Sequence, residues 1–425
     1  MQHETVLVMN ASSIKYGVGA TREIGFDMKQ LGARRVMVVA DPKLVHREPV
    51  AITLDALRAE GIETILYPNV RIEPTDASFR EAIQFATEGK FDGYVAVGGG
   101  STMDTAKVAN MYATHPAAFF AYVNPPVGEG RPVPGSLKPM IAIPTTAGTG
   151  SETTGTAIFD YQARHVKTGI AHRALRPVMG IVDPNNTRTL PPMVAASTGF
   201  DVLCHAIESL TAIPYQRRPA SENPGLRPPY QGANPISDVW AARAIQMVAQ
   251  NIVRVVQDPE DDEARAQMIL AATFAGIGFG NAGVHLPHAM SYPIAGLVRD
   301  YIPQGYNVDH PIIPHGLAVL LTAPSVFRFT APADPARHLY VAQLMGADVA
   351  RAKKEDAGEI LASAMIDLMR HTGMPNGLSA VGYTPADVPQ MVAGTLPQQR
   401  LTKLSPLPFD ESDLAKMFLD SMKYW

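Results

Sequence analysis

The chain has 425 residues, a net charge of -4 and a sequence pI near 6.3, and no lysine- and arginine-rich cluster, which excludes the basic face of a nucleic-acid binder. Its 46% hydrophobic and 18% charged residues describe a compact globular protein too long for one ordinary core, so two domains are expected. The single cysteine, Cys204, rules out an intramolecular disulfide, and no run reaches the roughly 18 apolar residues of a membrane-spanning helix. The first 17 residues hold neither an apolar h-region nor an arginine-rich leader, so the expected location is cytoplasmic, or the mitochondrial matrix for a eukaryotic source.

In chain order, Val36-Met37-Val38-Val39-Ala40 reads as a buried strand ending at Asp41, followed by helical spacing over 49–60. A strand at Thr64–Tyr67, a helix over 76–88 and a strand at Tyr94–Val97 come next. That last strand runs into Gly98-Gly99-Gly100-Ser101 and a helix from about Thr102; Met140–Pro144 is a further strand. This alternation predicts an α/β N-terminal dinucleotide-binding domain, a Rossmann-like parallel sheet covered by helices, over 1–190. Beyond Leu190-Pro191-Pro192, helical patterns dominate at 193–212, 236–257, 260–278, 314–330, 337–347, 355–373 and 410–422. They predict an all-α C-terminal domain over 191–425, interrupted by a proline-rich loop at 214–235. The acidic run 258–263 reads as a helix start.

Two turns follow predicted strands. Gly98-Gly99-Gly100-Ser101, with Asp104 and Lys107 on the next helix, lets a diphosphate approach bare backbone at a helix N-terminus. Thr145-Thr146-Ala147-Gly148-Thr149-Gly150-Ser151-Glu152 offers hydroxyls and open amides after the next strand. The G-x-G-x-x-G fingerprint is absent, so any dinucleotide is held differently from the common pattern. Asp41 either accepts from an adenosine ribose, selecting NAD, or terminates its strand as a cap.

Asp201 and His205 stand four residues apart in an apolar helical run, so they share a face. They form either a metal-ligand pair or a core polar pair. His288 and His315 lie in apolar, glycine- and proline-rich surroundings where an unpartnered imidazole is costly. One carboxylate and three imidazoles suit a divalent transition metal with a position left for a substrate oxygen. His285 reads as a pocket residue and His310 as a loop residue. His3, His46, His115, His165, His172, His338 and His371 are expected at the surface.

Taken together, the two turns, Asp201-x-x-x-His205, His288 and Pro314-His315-Gly316 resemble the iron-dependent (group III) alcohol dehydrogenases, whose fold is also similar to that of dehydroquinate synthase. Within that family the chain looks most like the hydroxyacid–oxoacid transhydrogenase branch, through residues 91–105, 278–286, 306–311, 394–398 and the 214–235 loop. The resemblance implies Asp201, His205, His288 and His315 as ligands of Fe²⁺, with Zn²⁺ or Ni²⁺ also suited to the set. It implies NAD contacts from Asp41, Gly98, Gly99, Gly100, Ser101, Asp104, Thr145, Thr146, Thr149, Ser151 and Lys167. Where the family's alcohol dehydrogenases carry a proton-relaying histidine four residues after the third ligand, this chain has Tyr292, as the transhydrogenase branch does. Tyr292 and His285 are therefore the candidate catalytic residues outside the metal shell.

The implied activity is hydride transfer between a hydroxy acid such as 4-hydroxybutyrate and a 2-oxo acid such as 2-oxoglutarate through bound NAD. The alternative is an ordinary NAD-dependent alcohol or 4-hydroxybutyrate dehydrogenase. The expected partners are these small molecules and further copies of the chain in a homo-oligomer. Arg217, Arg218, Arg227 and Arg299 are candidate anchors for the acid groups.

Overall fold

The structure is a computed structural model that describes residues 3–164, 166–306, 308 and 310–425. His165, expected at the surface, and Asn307 and Asp309 of the 306–311 stretch lie outside the described residues. The chain divides into two compact units, Asn10–Thr189 and Met1–Met9 with Leu190–Trp425.

The first unit is a parallel sheet of β1 (Ser13–Tyr16), β2 (Arg35–Ala40), β3 (Glu63–Tyr67), β4 (Gly93–Gly98), β5 (Met140–Pro144) and β8 (Met179–Val182), in the order β1-β8-β5-β4-β2-β3. Strands β4 and β5 are buried along their whole length, as strands covered on both faces must be, which explains their unbroken apolar sequence. One face packs on helices α1 (Ile24–Gln30) and α2 (Glu48–Ala59), where Val38, Val95, Val97, Ile141 and Ile143 meet Ile24, Met28, Val50 and Leu57. The other face packs on α3 (Asp76–Gly89) and α4 (Gly100–Thr114) through Met37, Tyr94, Ala82, Met103 and Ala106. An antiparallel hairpin, β6 (Thr156–Tyr161) and β7 (Val166–Ala171), stands apart from the sheet.

β3 and β4 lie on opposite sides of β2, so the strand order reverses there. An open crevice forms at the carboxyl ends of strands around such a reversal, the place where α/β sheets bind ligands. Register Ala40↔Val97 and Gly98↔Pro144 brings Asp41, the 98–101 turn and the 145–151 turn to that edge.

The second unit is helical: α5 (Pro192–Thr211), α6 (Pro235–Gln257), α7 (Asp262–Ala282), α8 (Leu286–Gly296), α9 (His315–Leu320), α10 (Ala323–Thr330), α11 (Pro335–Leu344), α12 (Ala357–His371), α13 (Val388–Thr395), α14 (Gln399–Thr402) and α15 (Glu411–Asp420). α5 is apolar around most of its circumference because it is the central helix, packed against α6, α7 and α9. The acidic run does open a helix: Asp261 caps α7 by accepting from the Ala264 N–H.

Several elements differ from the expectations. β1, the β6–β7 hairpin and β8 were not read as strands; β1 alternates weakly because it is an edge, and β8 is only four residues long. The predicted helix over 314–330 is two helices, α9 and α10, separated at Leu321 and Thr322 ahead of Pro324. Residues 3–9 group with the helical unit because they are stitched to the 214–235 loop. Val8 exchanges hydrogen bonds with the Gln231 side chain (2.9 and 2.7 Å), and Glu4 pairs with Arg227 at 3.1 Å. His338, expected at the surface, is fully buried: its ring lies between the Thr330 hydroxyl (3.0 Å) and the Asp334 carbonyl (2.9 Å), one turn into α11.

Candidate metal centre

Asp201 and His205 occupy one face of α5, and the helix is buried where they sit. α8 presents His288 and α9 begins at His315. Ligand atoms of the four residues all lie within 4.8 Å of one another. From Asp201 Oδ1 the distances are 3.6 Å to His288 Nε2 and 3.8 Å to His315 Nε2; Asp201 Oδ2 is 3.8 Å from His205 Nδ1. Ligands 2.0–2.2 Å from a shared tetrahedral ion stand about 3.3–3.6 Å apart, and the three carboxylate–imidazole distances lie within a few tenths of an ångström of that spacing.

The polar bookkeeping points the same way. Asp201 Oδ1, His205 Nδ1 and His288 Nε2 are all buried without a hydrogen-bond partner among the described residues. Three such orphans facing one point would be expensive unless a cation satisfies them together. His315 leaves 28% of its side chain exposed against 3–5% for the other three, so the set opens at His315. A substrate oxygen can arrive from that side.

Packing details hold the ligands in place. Pro314 precedes α9 with extended geometry and Gly316 follows His315. A Cβ on Gly316 would fall 2.1 Å from the Ser197 carbonyl and 2.9 Å from Asp201 Cβ. The glycine therefore lets the start of α9 press onto α5 and brings His315 to Asp201. Phe279 of α7 stacks on the His205 ring at 4.0 Å and 7°, fixing its plane.

The sequence reading assigned no role to Glu208, which completes the site. It is fully buried, accepts from the His285 backbone N–H at 2.6 Å, and lies 2.5 Å from His288 Nδ1. Burial alone would raise its carboxyl, but His288 outweighs burial and holds it below the usual range. An ionised Glu208 can only accept, so His288 Nδ1 donates, and Nε2 is the nitrogen whose lone pair a cation would take in place of a proton. The signal was present: Asp201, His205 and Glu208 follow i, i+4, i+7 on one helix face.

The site's titrations follow from the same charges. Burial would raise Asp201, but His205, His315 and His288 outweigh it and keep the carboxyl ionised. Burial pushes His205 down to about 3. For His288, burial is outweighed by Glu208 and Asp201, which lift it to about 10; a bound cation would take that proton's place. His285 is fully buried outside α8, its Nε2 3.0 Å from the Thr211 hydroxyl, and burial holds it at about 4. Tyr292 lies one turn along α8 from His288 in a cluster with Tyr230, Phe279, Ala289 and Leu401.

The dinucleotide candidates gather at the sheet edge, but several are already engaged. Each glycine of the 98–100 turn faces a threonine. A Cβ on Gly98 would fall 2.3 Å from Thr102 Oγ1, on Gly99 3.2 Å from Thr146 Oγ1, and on Gly100 2.7 Å from Thr149 Cγ2. The glycines thus let the 98–101 turn nest against Thr146 and Thr149, and Gly99 stands at the N-cap of α4, leaving its first amides without a side-chain cap. Thr145 donates its N–H to the Gly98 carbonyl at 3.1 Å. Ser101 accepts from the Glu73 N–H at 3.2 Å.

Asp104 accepts from the Ser151 hydroxyl (3.0 Å) and the Ile158 N–H (2.9 Å), which ties α4 to β6. Lys167 pairs with Glu73 and lies 3.6 Å from Asp160. Asp41 accepts from the Lys43 and Leu44 N–H groups (2.7 and 3.2 Å), so it closes the turn after β2 with one carboxylate oxygen.

Of the arginines considered as acid anchors, Arg227 is paired with Glu4, Arg299 with Asp387, and Arg218 donates to the Tyr230 carbonyl. Arg217 is exposed at the end of a single 3₁₀ turn.

The "Iron-containing alcohol dehydrogenase" family profile matches residues 11–184, and "Fe-containing alcohol dehydrogenase family, C-terminal" matches 230–422. The chain is 55% identical over 419 residues to the "Hydroxyacid-oxoacid transhydrogenase, mitochondrial" of Rattus norvegicus, covering 98% of this chain and 90% of the relative. It is 54% identical over the same length to the Homo sapiens protein of that name, with the same coverage.

Among solved structures it resembles 1,3-propanediol oxidoreductase with a TM-score of 0.85, 27% identity, and 98% and 100% of the two chains covered. It also resembles sulfoacetaldehyde reductase from Bifidobacterium kashiwanohense in complex with NAD+, with a TM-score of 0.79, 26% identity and 98% of each chain covered. With both halves matched and relatives similar over nearly its whole length, the chain belongs to the iron-containing alcohol dehydrogenase family of oxidoreductases.

Proposed function

We propose that this chain is a hydroxyacid–oxoacid transhydrogenase that passes a hydride from a hydroxy acid such as 4-hydroxybutyrate to a 2-oxo acid such as 2-oxoglutarate. The observation that carries the reading is the buried, converging and unpartnered donor set of Asp201, His205 and His288, open at His315. The 55% identity to transhydrogenases over 98% of the chain supports the choice of reaction. We assign Fe²⁺ to the four-residue site and NAD to the edge formed by Asp41, Gly98, Gly99, Gly100, Ser101, Thr145, Thr146 and Thr149. A divalent metal would supply Lewis acidity toward a substrate oxygen, and a retained dinucleotide would carry the hydride between the two acids.

The chain's own residues set the rest. The exposed side of His315 admits the substrate oxygen next to the ligands. Tyr292, one turn from His288, lines the site where the alcohol dehydrogenases of the family carry histidine. Tyr292 carries a hydroxyl where those enzymes carry an imidazole, so its role is to orient a substrate oxygen rather than to relay protons. His285, buried and held neutral, supports Glu208 and Thr211 from behind and does not meet substrate. In Asp104, Lys107 and Ser151 we read a scaffold beneath the dinucleotide, because their polar atoms bind one another, and in Lys167 a further part of it, engaged with Glu73 and Asp160.

A second reading, an NAD-dependent alcohol dehydrogenase that exchanges its cofactor, is favoured by the similarity to a reductase solved with NAD+. One assay separates the two. Protein prepared anaerobically with Fe²⁺ is incubated with 4-hydroxybutyrate and 2-oxoglutarate without added dinucleotide. Many turnovers of 2-hydroxyglutarate per chain are expected. Turnover only after NAD is added would favour the dehydrogenase, and no hydride transfer in either case would sink both.

A further inference from the structure

Arg400, on the four-residue helix α14, was not among the arginines that the sequence singled out. Its surroundings differ from theirs. Arg227 and Arg299 neutralise carboxylates of the chain itself, Glu4 and Asp387. The Arg400 guanidinium faces phenols: it stands over the Tyr230 ring, 4.9 Å from its centroid, and Nη2 is 3.5 Å from the Tyr292 hydroxyl. Its Nη1 is buried without a hydrogen-bond partner among the described residues. A partly buried guanidinium with a buried donor unmet and, among the described residues, no acid paired with it is costly, because aromatic faces return only part of the lost hydration.

The place of this cation matters as much as its chemistry. Tyr292 follows His288 by one helical turn, so the phenol that Arg400 contacts rises from the same helix as a metal ligand. Tyr230 packs in one cluster with Tyr292 and Phe279, and Phe279 stacks on His205. Leu401, the residue after Arg400, belongs to that cluster too. The guanidinium therefore sits at the rim of the aromatic wall that backs the ligand set.

From this placement we propose that Arg400 is the anchor that binds a substrate carboxylate, holding a short hydroxy or oxo acid so that its reacting oxygen lies at the Asp201–His205–His288–His315 set. The inference rests on the transhydrogenase reading and deepens it by naming the residue that selects acids over neutral alcohols. The planar fork of the guanidinium matches a carboxylate in two parallel hydrogen bonds, and Nη1 is the donor that such a ligand would satisfy. Tyr230 beneath and Tyr292 beside it fix the plane of the fork.

The test uses the full-length metal-loaded protein, with Arg400→Gln and Arg400→Lys beside the wild type. Two quantities are read: Kd for 2-oxoglutarate by calorimetry, and kcat/KM for 4-hydroxybutyrate relative to 1-butanol. The expected result is a 2-oxoglutarate Kd about 30- to 100-fold weaker in R400Q and about 5- to 10-fold weaker in R400K, with the acid-to-alcohol preference falling in parallel. If R400Q does not fold, R400K alone decides. It keeps the charge and stem but lacks the fork, so an unaltered Kd and preference would overturn the anchor.

The two readings fail differently. A wild type that transfers hydride between the acids while the variants keep its Kd and preference removes Arg400 and leaves the reaction. A wild type that binds 2-oxoglutarate through Arg400 but yields no 2-hydroxyglutarate removes the transhydrogenase and leaves the anchor. A wild type with no measurable affinity for 2-oxoglutarate overturns the anchor.

Discussion

Lys107 and Asp201 are both buried ionisable residues on central helices, and what surrounds them differs. Lys107 has no exposed surface, yet its ammonium donates to the Ser151 carbonyl (2.8 Å), the Ser151 hydroxyl (2.6 Å) and the Thr156 carbonyl (3.0 Å), with Asp104 at 3.9 Å. Every donor has an acceptor, so the cluster locks α4 against the start of β6. Around Asp201 the opposite holds, since a carboxylate oxygen and two imidazole nitrogens are left unmet. A satisfied buried network is a fastening, whereas one left open on a single point is a binding site. The comparison separates two groups of residues that looked equally chemical in the sequence.

The largest effect that would break this contrast is at the open cluster. Asp201→Asn keeps the shape and removes the charge that collects the three histidines. It should lower Fe²⁺ or Zn²⁺ affinity by more than about 10³-fold and activity with it, because a ligand and its anionic charge go together. Metal should also cease to protect against thermal unfolding. At free metal about 1,000 times Kd that protection amounts to about 4 kcal/mol in the wild type. Melts with metal and with chelator read this directly; a variant still stabilised by metal would show that Asp201 is a core polar residue.

Lys107→Met tests the closed cluster. It removes the cation beside the buried Asp104 carboxylate and the ammonium's bonds to the Ser151 and Thr156 carbonyls, for an expected loss of about 3–5 kcal/mol. Hydrogen exchange at β4 and β6 amides should register it, while metal per chain stays at the wild-type level. The pH dependence carries a sign. Burial, the largest influence, lowers Lys107 from 10.5 to about 8. Between those values the unfolded chain holds a proton that the folded chain has released, so this residue's contribution rises with pH across that window. Below pH 8 both states are protonated and the cost of burying the charge is full. The stability difference between wild type and K107M should therefore grow from pH 8 to 10.5; a difference that shrank would mean the ammonium is not desolvated.

How far each cluster was legible follows from geometry. Asp201 and His205 were readable because i and i+4 share a helix face, and the parallel sheet because buried strands are uninterrupted apolar runs. The helix carrying His288 and Tyr292 was not readable: α8 holds Pro287 and Pro293, which sequence reasoning treats as breaks. Pro287 sits in the first turn, where a missing N–H costs nothing, and Pro293 lies near the C-terminal end. Ser151 and Lys107 read as phosphate binders because a glycine-rich turn looks the same whether its neighbours serve a ligand or the fold. What the sequence could not show is that the two side chains also bind each other and Asp104. Arg400 gave no signal, since no periodicity singles out one residue of a four-residue helix whose neighbours come from Tyr230 and Tyr292.

The smallest predicted effect sharpens the comparison most, because Glu208 belongs to both kinds of surroundings. Its two oxygens are satisfied, like Asp104, by the His285 N–H and His288 Nδ1; yet what it fastens is a ligand of the open set. Glu208→Gln keeps size and both hydrogen-bond positions but can turn its NH₂ toward His288. That would ask His288 Nδ1 to accept, put the ring proton on Nε2 and close the nitrogen meant for the ion. Metal affinity should fall about 10- to 100-fold, well short of the Asp201 variant, with less loss at saturating metal than at limiting metal. Competition with a chromophoric chelator measures it without recourse to turnover. Equal affinity in E208Q and wild type would mean that His288 is oriented by packing alone, and the division between fastening and binding would then run between Glu208 and His288.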